Sequence, residues 1–449
     1  MKKLLKEVVE QIRPTEEEVK KEKELFRRIR KLIERDGFKC LLVGSLAKGT
    51  DLRGDKDVDI FITFPENLSR EELEKKGLEI GKKVFKKLGI KTEIDYAEHP
   101  YVKGIYNNYT IEIVPCYRTN EPKSCVDRTP YHTEYIKKKL RRNKELRDEI
   151  RLLKQFMKGI GVYGAEAKVQ GFSGYLTELL IVSYGSFQKT VGSASQWKFK
   201  EIIDPENLWK DKASLRYFFP DASLIVIDPV DENRNVAAAV SRQKLSEFIV
   251  NARKFLKNPD KSFFFPEEVR VPENEEIIRR INERGTKLMA IYFKHQRINP
   301  NILYSQLRKT IRSMVKSIEA FNFRVFKTGI WTDEDGLSVF LFEFEVWNLP
   351  GIKHHVGPSI YSSIEDQEKF LKIYRQDSPY IEENSWVVDT KREIRNVRTG
   401  MDRIVAEKKG FGKDMKEIDA FKIAEDKDVL DICKDEEFIK FLGKFLSIA

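Results

Sequence analysis

The chain is 449 residues long, more than one hydrophobic core usually organises, so about two to four domains are expected. It carries 83 Lys and Arg against 72 Asp and Glu, and the net charge of +11 favours polyanionic partners such as nucleic acid. The four cysteines are scattered, which argues against a disulfide framework or a zinc site and for a reducing compartment. Neither a signal peptide nor an apolar run of membrane-spanning length is recognisable, so a cytoplasmic protein with no membrane partner is predicted.

The N-terminal part of the chain predicts a small mixed α/β sheet. Its elements, in order, are a helix over 1–37, strands over 38–43 and 57–63, a helix over 70–88, and strands over 91–96 and 109–115. Gly44 and Ser45 form a tight turn with a short helical start between the first two strands. Acidic residues on the later strands place a candidate site on one face of this sheet.

Asp57 and Asp59 make that face chemically unusual. Side chains alternate along a strand, so these carboxylates share one face while the apolar residues beside them occupy the other. Like charges repel, so the pair is a poor device for stability, but hard cations such as Mg²⁺ take oxygen ligands of this kind. The Gly44-Ser45 turn offers backbone N–H groups and a hydroxyl where the phosphates of a metal-bound substrate would lie.

A third carboxylate, Glu112, belongs to the strand over 109–115. Ile111 and Ile113 flank it, so Glu112 faces away from the core, and by alternation alone a solvent-facing residue is the commoner interpretation. Nucleotidyl transfer with two metal ions about 4 Å apart needs roughly three shared carboxylates. Asp57, Asp59 and Glu112 supply that number and are the candidate catalytic and metal-binding residues.

The middle of the chain is predicted to be helical and strongly basic. A long basic helix is expected over 133–159, a buried helix begins at the capping residue Ser173, a break falls at 228–231, and a helix resumes over 241–257. This region is expected to end near Pro259.

Beyond Pro266 the pattern changes to an α+β one. A strand over 288–294, a helix over 301–320, a hairpin over 324–332 and 337–347 and a helix over 364–374 predict a split βαβ layer of ferredoxin-like type. Phe340, Phe342 and Phe344 share one side of the last strand, and domain core is favoured over a base-stacking platform for them. An amphipathic helix over 428–448 is expected to close the chain.

The acid motif carries a family resemblance. Gly44-Ser45, followed after eleven residues by Asp57-Val58-Asp59-Ile60 and by a strand acid downstream, resembles the polymerase-β-type nucleotidyltransferase superfamily. The wider chain is similar to the archaeal, class I CCA-adding enzymes, which are tRNA nucleotidyltransferases. The segments with this second resemblance are 97–102, 113–117, 126–130, 151–154, 164–166, 171–176 and 228–237. Beyond them the similarity is one of layout.

The resemblance implies an α+β multidomain fold. It implies a nucleotidyltransferase catalytic head with a mixed sheet over 1–135, and a helical neck domain over 136–262 that recognises the nucleotide. An α+β, ferredoxin-like C-terminal region with terminal helices, the body and tail over 263–449, would bind tRNA.

The resemblance also assigns the acids to metal binding. Asp57, Asp59 and Glu112 would hold two Mg²⁺ ions, one that activates the tRNA 3′-hydroxyl and one that binds the triphosphate. Asp57 and Glu112 differ from the family residues in side-chain length by one methylene, which alters metal distances and leaves the mechanism unchanged.

Seven further residues match nucleotide-binding positions of the family. They are Gly44, Ser45, Lys48, His132, Lys154, Tyr163 and Arg234. Lys48 stands where a relative has arginine and would face the triphosphate, and Arg234 matches the arginine that reads the incoming base. Four of the seven have structural alternatives: His132 as a turn residue after Pro130, Lys154 as a solvated cation, Tyr163 as loop packing, and Arg234 as an ion-pair partner of Asp231.

By resemblance, the reaction adds C, C and A to the 3′ end of tRNA from CTP and ATP, without a template and with release of pyrophosphate. The residues by themselves support nucleotidyl transfer to a large polyanionic acceptor. The basic helix after residue 133 and the C-terminal layer would grip the acceptor and TΨC arm through phosphates, so binding would be salt-sensitive. Two alternatives are a poly(A)- or oligoadenylate-type polymerase and a non-catalytic RNA-binding scaffold, and a homodimer is left open.

Overall fold

The computed structural model describes residues 1–96, 99–119 and 125–448, with the side chain of Cys125 left out. The first two residues of the 97–102 motif therefore lie outside the described residues. The chain forms two compact units, Met1–Glu267 and Glu268–Ala449. Each unit has its own buried apolar clusters, as expected for a chain of this length.

The N-terminal segment forms two helices, so the single helix predicted over 1–37 is wrong. They are α1 (Lys2–Ile12) and α2 (Glu16–Arg35). Pro14 lacks a backbone N–H, and Thr15 starts α2 with a capping box, in which the Thr15 side chain and Glu18 accept each other's backbone N–H. The break lets α1 pack in a different apolar cluster from α2.

A five-stranded sheet follows, in the order β1-β2-β5-β4-β3. Its elements are β1 (Lys39–Leu42), α3 (Gly44–Lys48), β2 (Asp57–Pro65), α4 (Arg70–Leu88), β3 (Glu93–Tyr96), β4 (Pro100–Tyr106) and β5 (Tyr109–Arg118). Strands β2 and β5 are parallel, and the other neighbours are antiparallel. Helix α4 lies so close to the sheet that a Cβ at Gly81 would come within 2.3 Å of Val102, and glycine allows this approach. Strand β4 was not among the predicted elements.

The rest of the first unit is mostly helical. Its elements are α5 (Cys125–Arg142), α6 (Leu146–Gly159), α7 (Gly174–Tyr184), α8 (Phe187–Ala194), β6 (Glu201–Ile203), α9 (Leu215–Phe218), β7 (Leu224–Asp228), β8 (Asp231–Asn235) and α10 (Arg242–Lys257). The single helix predicted over 133–159 is wrong, because Asn143 turns its side chain onto the backbone N–H of Glu145 and separates α5 from α6. The small sheet β6-β7-β8 was also not predicted.

The second unit contains a four-stranded sheet of ferredoxin-like order, β10-β11-β9-β15. The elements of this unit are α11 (Asn274–Arg284), β9 (Lys287–Lys294), α12 (Pro300–Ala320), β10 (Arg324–Thr332), β11 (Leu337–Val346), β12 (Ile352–Ser359), α13 (Ile364–Ile373), β13 (Tyr380–Glu382), β14 (Ser385–Lys391), α14 (Val397–Glu407), α15 (Lys413–Lys416), β15 (Lys422–Glu425) and α16 (Glu436–Phe445). Phe340, Phe342 and Phe344 are fully buried, which confirms the core interpretation.

Two C-terminal predictions need correction. Helix α13 is not part of the ferredoxin-like layer: it packs on β12 of a separate sheet, β12-β14-β13, and α14 packs beside α12 instead. The closing helix predicted over 428–448 is the shorter α16, which begins only after the capping residue Asp435. Among the described residues, no helix is long and apolar enough to cross a membrane.

Candidate active site

The turn after β1 brings the backbone directly onto the acidic strand. Gly44 has φ 70, and a Cβ built there would lie 2.0 Å from Asp59 Oδ2. The N–H of Val43 donates to the carbonyl oxygen of Asp59 at 3.0 Å, which joins the turn to β2. A residue with a side chain cannot occupy this position unless Asp59 moves, so glycine is required here by contact as well as by conformation.

Gly44→Ala is expected to displace the Asp59 carboxylate and to lower nucleotide incorporation by about tenfold or more. Gly54→Ala is the matched control, since Gly54 also has a left-handed φ of 81 but nothing lies within 4 Å of its Cβ position. Gly54→Ala should lose about 1 kcal/mol of unfolding free energy from backbone strain, and Gly44→Ala should lose more, because the clash with Asp59 adds to the same strain. Thermal unfolding and primer extension measure the two effects, and equal loss of activity in both variants would contradict the role of the contact.

The three candidate carboxylates lie on two adjacent parallel strands. On β2, Val58 and Ile60 are fully buried on the core side, and Asp57 and Asp59 take the opposite face. Glu112 on β5 stands directly opposite Asp59 in the parallel register. The Glu112 side chain is held by Lys103 of β4, with 3.1 Å between Nζ and Oε1.

Burial and mutual repulsion make ionised Asp59 costly. Burial first, and then the charges of Glu112 and Asp57, raise the pKa of Asp59 to about 6. Burial and the charge of Asp55 likewise raise the pKa of Asp57. Asp57 is exposed and Asp59 half-buried at the edge of the cavity, and clustered carboxylate oxygens of this kind suit a divalent cation in their donor chemistry. Among the described residues, however, no three His, Cys, Asp or Glu side chains are arranged to hold a metal as they stand.

The raised pKa of Asp59 predicts that metal-free protein loses stability as pH rises. The folded state binds this proton more tightly than the unfolded chain, whose Asp59 has the ordinary value of 3.8. The unfolding free energy should therefore fall between pH 4 and about 6, the interval between the two values. Asp59→Asn cannot titrate, so unfolding of the variant in EDTA should vary less with pH over this interval. Identical pH dependence for the two proteins would contradict the assignment.

A cavity of about 330 Å³ opens between the acidic strand and the helices α5, α6 and α7. The predicted residues that line it are Gly44, Ser45, Lys48, Asp57, Asp59, His132, Lys154 and Tyr163. Lining residues that were not predicted are Asp55, Thr129, Thr133, Lys158, Gly174, Tyr175 and Glu178. Glu112 and Arg234 are not part of this lining. The structure thus brings residues far apart in sequence to one polar cavity.

Lys154 of α6 is buried and is not a solvated cation. Its side chain is 2% exposed, and Nζ donates to the carbonyl oxygen of Thr50 at 3.0 Å. Burial lowers the pKa of Lys154 to about 8, although nearby Glu178 opposes the shift. Lys48 is buried as well, and its ammonium donates to Glu178. These two predicted nucleotide-binding lysines are therefore linked, because Glu178 also accepts from the Thr50 hydroxyl and Lys154 donates to the Thr50 carbonyl oxygen.

Asp228, at the end of β7, joins three side chains that approach the cavity. It is fully buried and accepts from Arg234 at 2.6 Å, from His132 at 2.9 Å, and from the Tyr175 hydroxyl at 3.1 Å. The His132 ring also stacks on Tyr175, with 3.9 Å between centroids. Burial lowers the pKa of His132, although the hydrogen bond and charge of Asp228 oppose the shift.

The structure contradicts the alternative interpretations of His132 and Arg234. His132 lies inside α5 and not in a turn after Pro130. Arg234 is paired with Asp228, while Asp231 is paired with Arg128 at 3.0 Å, so the structure does not show the Arg234–Asp231 pair that was the alternative interpretation. The Asp228-Pro229 break was visible in the sequence, but nothing in its spacing indicated which arginine Asp228 would hold.

Tyr163 combines cavity lining with packing. It is partly buried against the apolar cluster of the helices, and a Cβ at Gly174 would lie 3.0 Å from the Tyr163 hydroxyl. Lys158, which pairs with Asp55 at 2.9 Å, lies 5.6 Å from the Tyr163 ring centroid. Tyr163 therefore serves the loop and the cavity at once, and the two interpretations do not exclude each other.

Three family descriptions match consecutive parts of the chain. A nucleotidyltransferase domain matches residues 20–143, the second domain of tRNA nucleotidyltransferase matches 148–265, and the C-terminal domain of the CCA-adding enzyme matches 284–426. Together they span both compact units.

Curated relatives match most of the chain. A CCA-adding enzyme of Methanosarcina barkeri (strain Fusaro / DSM 804) is 38% identical over 405 residues, covering 87% of this chain and 86% of the relative. One of Archaeoglobus fulgidus is 37% identical over 401 residues, covering 89% and 88%. Among solved structures, Cid1, described by its RNA terminal uridylyl transferase activity, aligns with a TM-score of 0.49 and 14% identity, over 60% of this chain and 98% of that chain.

Proposed function

Because the chain belongs to the family of CCA-adding enzymes, which are tRNA nucleotidyltransferases, we propose that the cavity of its first unit is where C, C and A are added to the 3′ end of tRNA from CTP and ATP. One observation carries this proposal: carboxylates of a nucleotidyltransferase sheet and cationic and aromatic side chains of the helices line the same cavity. The acids suit metal-assisted transfer, and the other side chains suit a nucleoside triphosphate.

Nucleotidyltransferases of this kind use divalent metal ions, and we propose two Mg²⁺ ions held by Asp57, Asp59 and Glu112. When bound, such ions would activate the attacking 3′-hydroxyl and neutralise charge on the triphosphate. Asp57 and Asp59 already face the cavity. Glu112 is not part of the lining and pairs with Lys103 through Oε1, so it would bind a metal ion through its other oxygen or after that ion pair opens.

The remaining lining would bind and orient the nucleotide. Lys48, Lys154 and Lys158 bring positive charge to the cavity wall, where triphosphate oxygens would lie. Tyr163 and Tyr175 offer aromatic faces to sugar or base. Arg234, fixed by Asp228 just outside the lining, would read the incoming base.

The two basic helices that would bind tRNA differ in how far their cations are already paired with acidic side chains. On α5, Lys139 pairs with Glu206 at 2.6 Å and Lys137 with Glu134 at 3.1 Å, so the basic run there is partly neutralised. On α12, Lys309, Arg312 and Lys316 are exposed and recur at helical spacing on one face. We propose that α12 contributes more of the phosphate contacts than α5 does.

A single assay tests the function and separates the alternatives. The protein is incubated with Mg²⁺, CTP, ATP and a tRNA that lacks its terminal CCA, and the products are resolved at single-nucleotide length. Addition that stops after C, C and A is expected. A homopolymer tail would instead support a poly(A)- or oligoadenylate-type polymerase, and no incorporation would support a non-catalytic RNA-binding scaffold.

Three further proposals concern organisation. The head, neck and C-terminal boundaries at 135 and 262 are proposed from resemblance. Limited proteolysis followed by mass measurement of the fragments checks them.

A homodimer is also proposed, for which sedimentation equilibrium should give twice the chain mass. A cytoplasmic location is proposed from the scattered cysteines.

A further inference from the structure

Glu178 is a buried carboxylate in a cavity that otherwise suits an anion. It lies on α7, is 1% exposed and lines the cavity beside Lys48 and Lys154. A carboxylate repels triphosphate oxygens, so its presence costs nucleotide binding. No role considered so far requires it, and no sequence pattern singled it out.

Both oxygens of Glu178 are used, and both hold the segment that runs from Lys48, the last residue of α3, to Thr50. Oε2 accepts from Lys48 Nζ at 2.6 Å, and Oε1 accepts from the Thr50 hydroxyl at 2.7 Å. Charge-assisted hydrogen bonds of this length are strong and directional. The position of the Lys48 ammonium is therefore set from across the cavity by α7 and not by its own short helix.

The backbone of the same segment is held by α6. Arg151 donates to the carbonyl oxygens of Gly49 at 2.7 Å and Asp51 at 2.8 Å, and Lys154 donates to that of Thr50 at 3.0 Å. Three successive carbonyls thus have partners on one helix. With the backbone fixed in this way, Glu178 is left to determine where the flexible side chain of Lys48 points.

We propose that Glu178 is a positioning residue for the triphosphate, and that it works by orienting Lys48. The proposal rests on the proposed function of the cavity. An ammonium has three donors, so Lys48 can donate to Glu178 and still have two for phosphate oxygens. Glu178 therefore has two opposite effects. Its charge weakens binding of the free nucleotide, and its hydrogen bond orients the Lys48 ammonium toward the phosphate that is transferred.

The test is Glu178→Gln, which keeps the size and the hydrogen-bonding oxygen and removes the charge. Equilibrium binding of ATP with Mg²⁺, in the absence of tRNA, should tighten by about fivefold because Lys48 is no longer neutralised. The kcat for addition of the terminal A to a tRNA ending in CC should fall by about tenfold because Lys48 is less well oriented. A purely structural residue would not move these two quantities in opposite senses.

Glu149→Gln is the matched control. Glu149 on α6 is a half-buried carboxylate, less buried than Glu178, that accepts from the backbone N–H of Phe187 at 2.7 Å and is not part of the cavity lining. It should lower the unfolding midpoint and leave ATP binding and kcat unchanged. If Glu178→Gln behaves like this control, or weakens ATP binding, the proposal is overturned.

A second variant covers the case in which Glu178→Gln does not fold. Thr50→Val keeps the volume and removes one of the two hydrogen bonds to Glu178. It should lower kcat by about threefold without weakening ATP binding. Unchanged kcat, or weaker binding, would count against the proposal. Because ATP binding is measured without tRNA, failure of CCA addition by the unmodified protein would remain distinguishable from failure of this inference.

Discussion

Asp59→Ala is expected to reduce nucleotide incorporation by at least about a thousandfold, because loss of the proposed shared metal ligand would remove several kcal/mol of transition-state stabilisation. The fold should persist. Burial and neighbouring charges raise the pKa of Asp59, so its ionised form is a cost to the metal-free protein that the variant removes. Affinity for tRNA should stay within about twofold, since phosphate contacts made elsewhere dominate that affinity. Primer extension and filter binding measure the two quantities.

Glu93→Ala provides the control on the same face of the sheet. Glu93 is an exposed carboxylate on β3, directly opposite Lys103 in the antiparallel register. It shares the face of Asp59 but is not among the residues that line the cavity. Its removal should leave incorporation within about twofold, since an exposed carboxylate outside the cavity has little effect on the reaction or on stability. Turnover by Asp59→Ala near that of Glu93→Ala would refute the metal assignment.

Asp228→Asn should have the second-largest effect. Asp228 accepts hydrogen bonds from Arg234, His132 and Tyr175 at once. Asparagine is uncharged and has only one accepting oxygen, so it cannot replace all three bonds. The unfolding free energy should fall by about 2 kcal/mol, the typical contribution of a hydrogen bond to a charged group. With Arg234 released, kcat/KM for CTP should fall by about a hundredfold, and incorporation of UTP relative to CTP should rise.

Asp231→Asn separates this effect from general damage to the hairpin. Asp231 lies three residues further on and pairs with Arg128, a residue that does not line the cavity. Its loss should change stability by less than about 1 kcal/mol and leave the ratio of CTP to UTP incorporation unchanged. Urea unfolding and paired-nucleotide competition supply the measurements. If the two variants alter nucleotide choice equally, Asp228 does not act through Arg234.

Local patterns predicted much of the fold. Helix α4 begins and ends at the predicted residues because a capping serine precedes it and a left-handed glycine follows it. Alternation on β2 correctly placed Val58 and Ile60 on the buried side, and the Phe340 row of β11 is buried as predicted. Alternation did not show that the opposite side of β11 is buried as well, with Glu343 fully buried there. These features depend only on residues close together in sequence, so a short stretch of sequence is enough to predict them.

The errors arose where local signals compete. A basic, helix-favouring composition runs continuously through 133–159, yet Asn143 ends α5 by binding the backbone beside it. Pro14 and Thr15 likewise outweighed the helical periodicity of residues 1–37. Assignment of α13 to the ferredoxin-like layer failed for a different reason, since only tertiary packing decides whether a helix covers one sheet or its neighbour.

The sequence by itself determined the chemistry of the acidic face, because the spacing of Asp57 and Asp59 on one strand and the glycine before them are local facts. It also determined, through resemblance, which distant residues to look for. Only the tertiary structure decided their partners: Lys48 with Glu178, Arg234 with Asp228, Glu112 with Lys103. Lys48 and Glu178 are 130 residues apart, so their distance is set by how the helices pack together, which no short-range pattern encodes. The other two pairs cross neighbouring antiparallel strands, and strand pairing sets their distances.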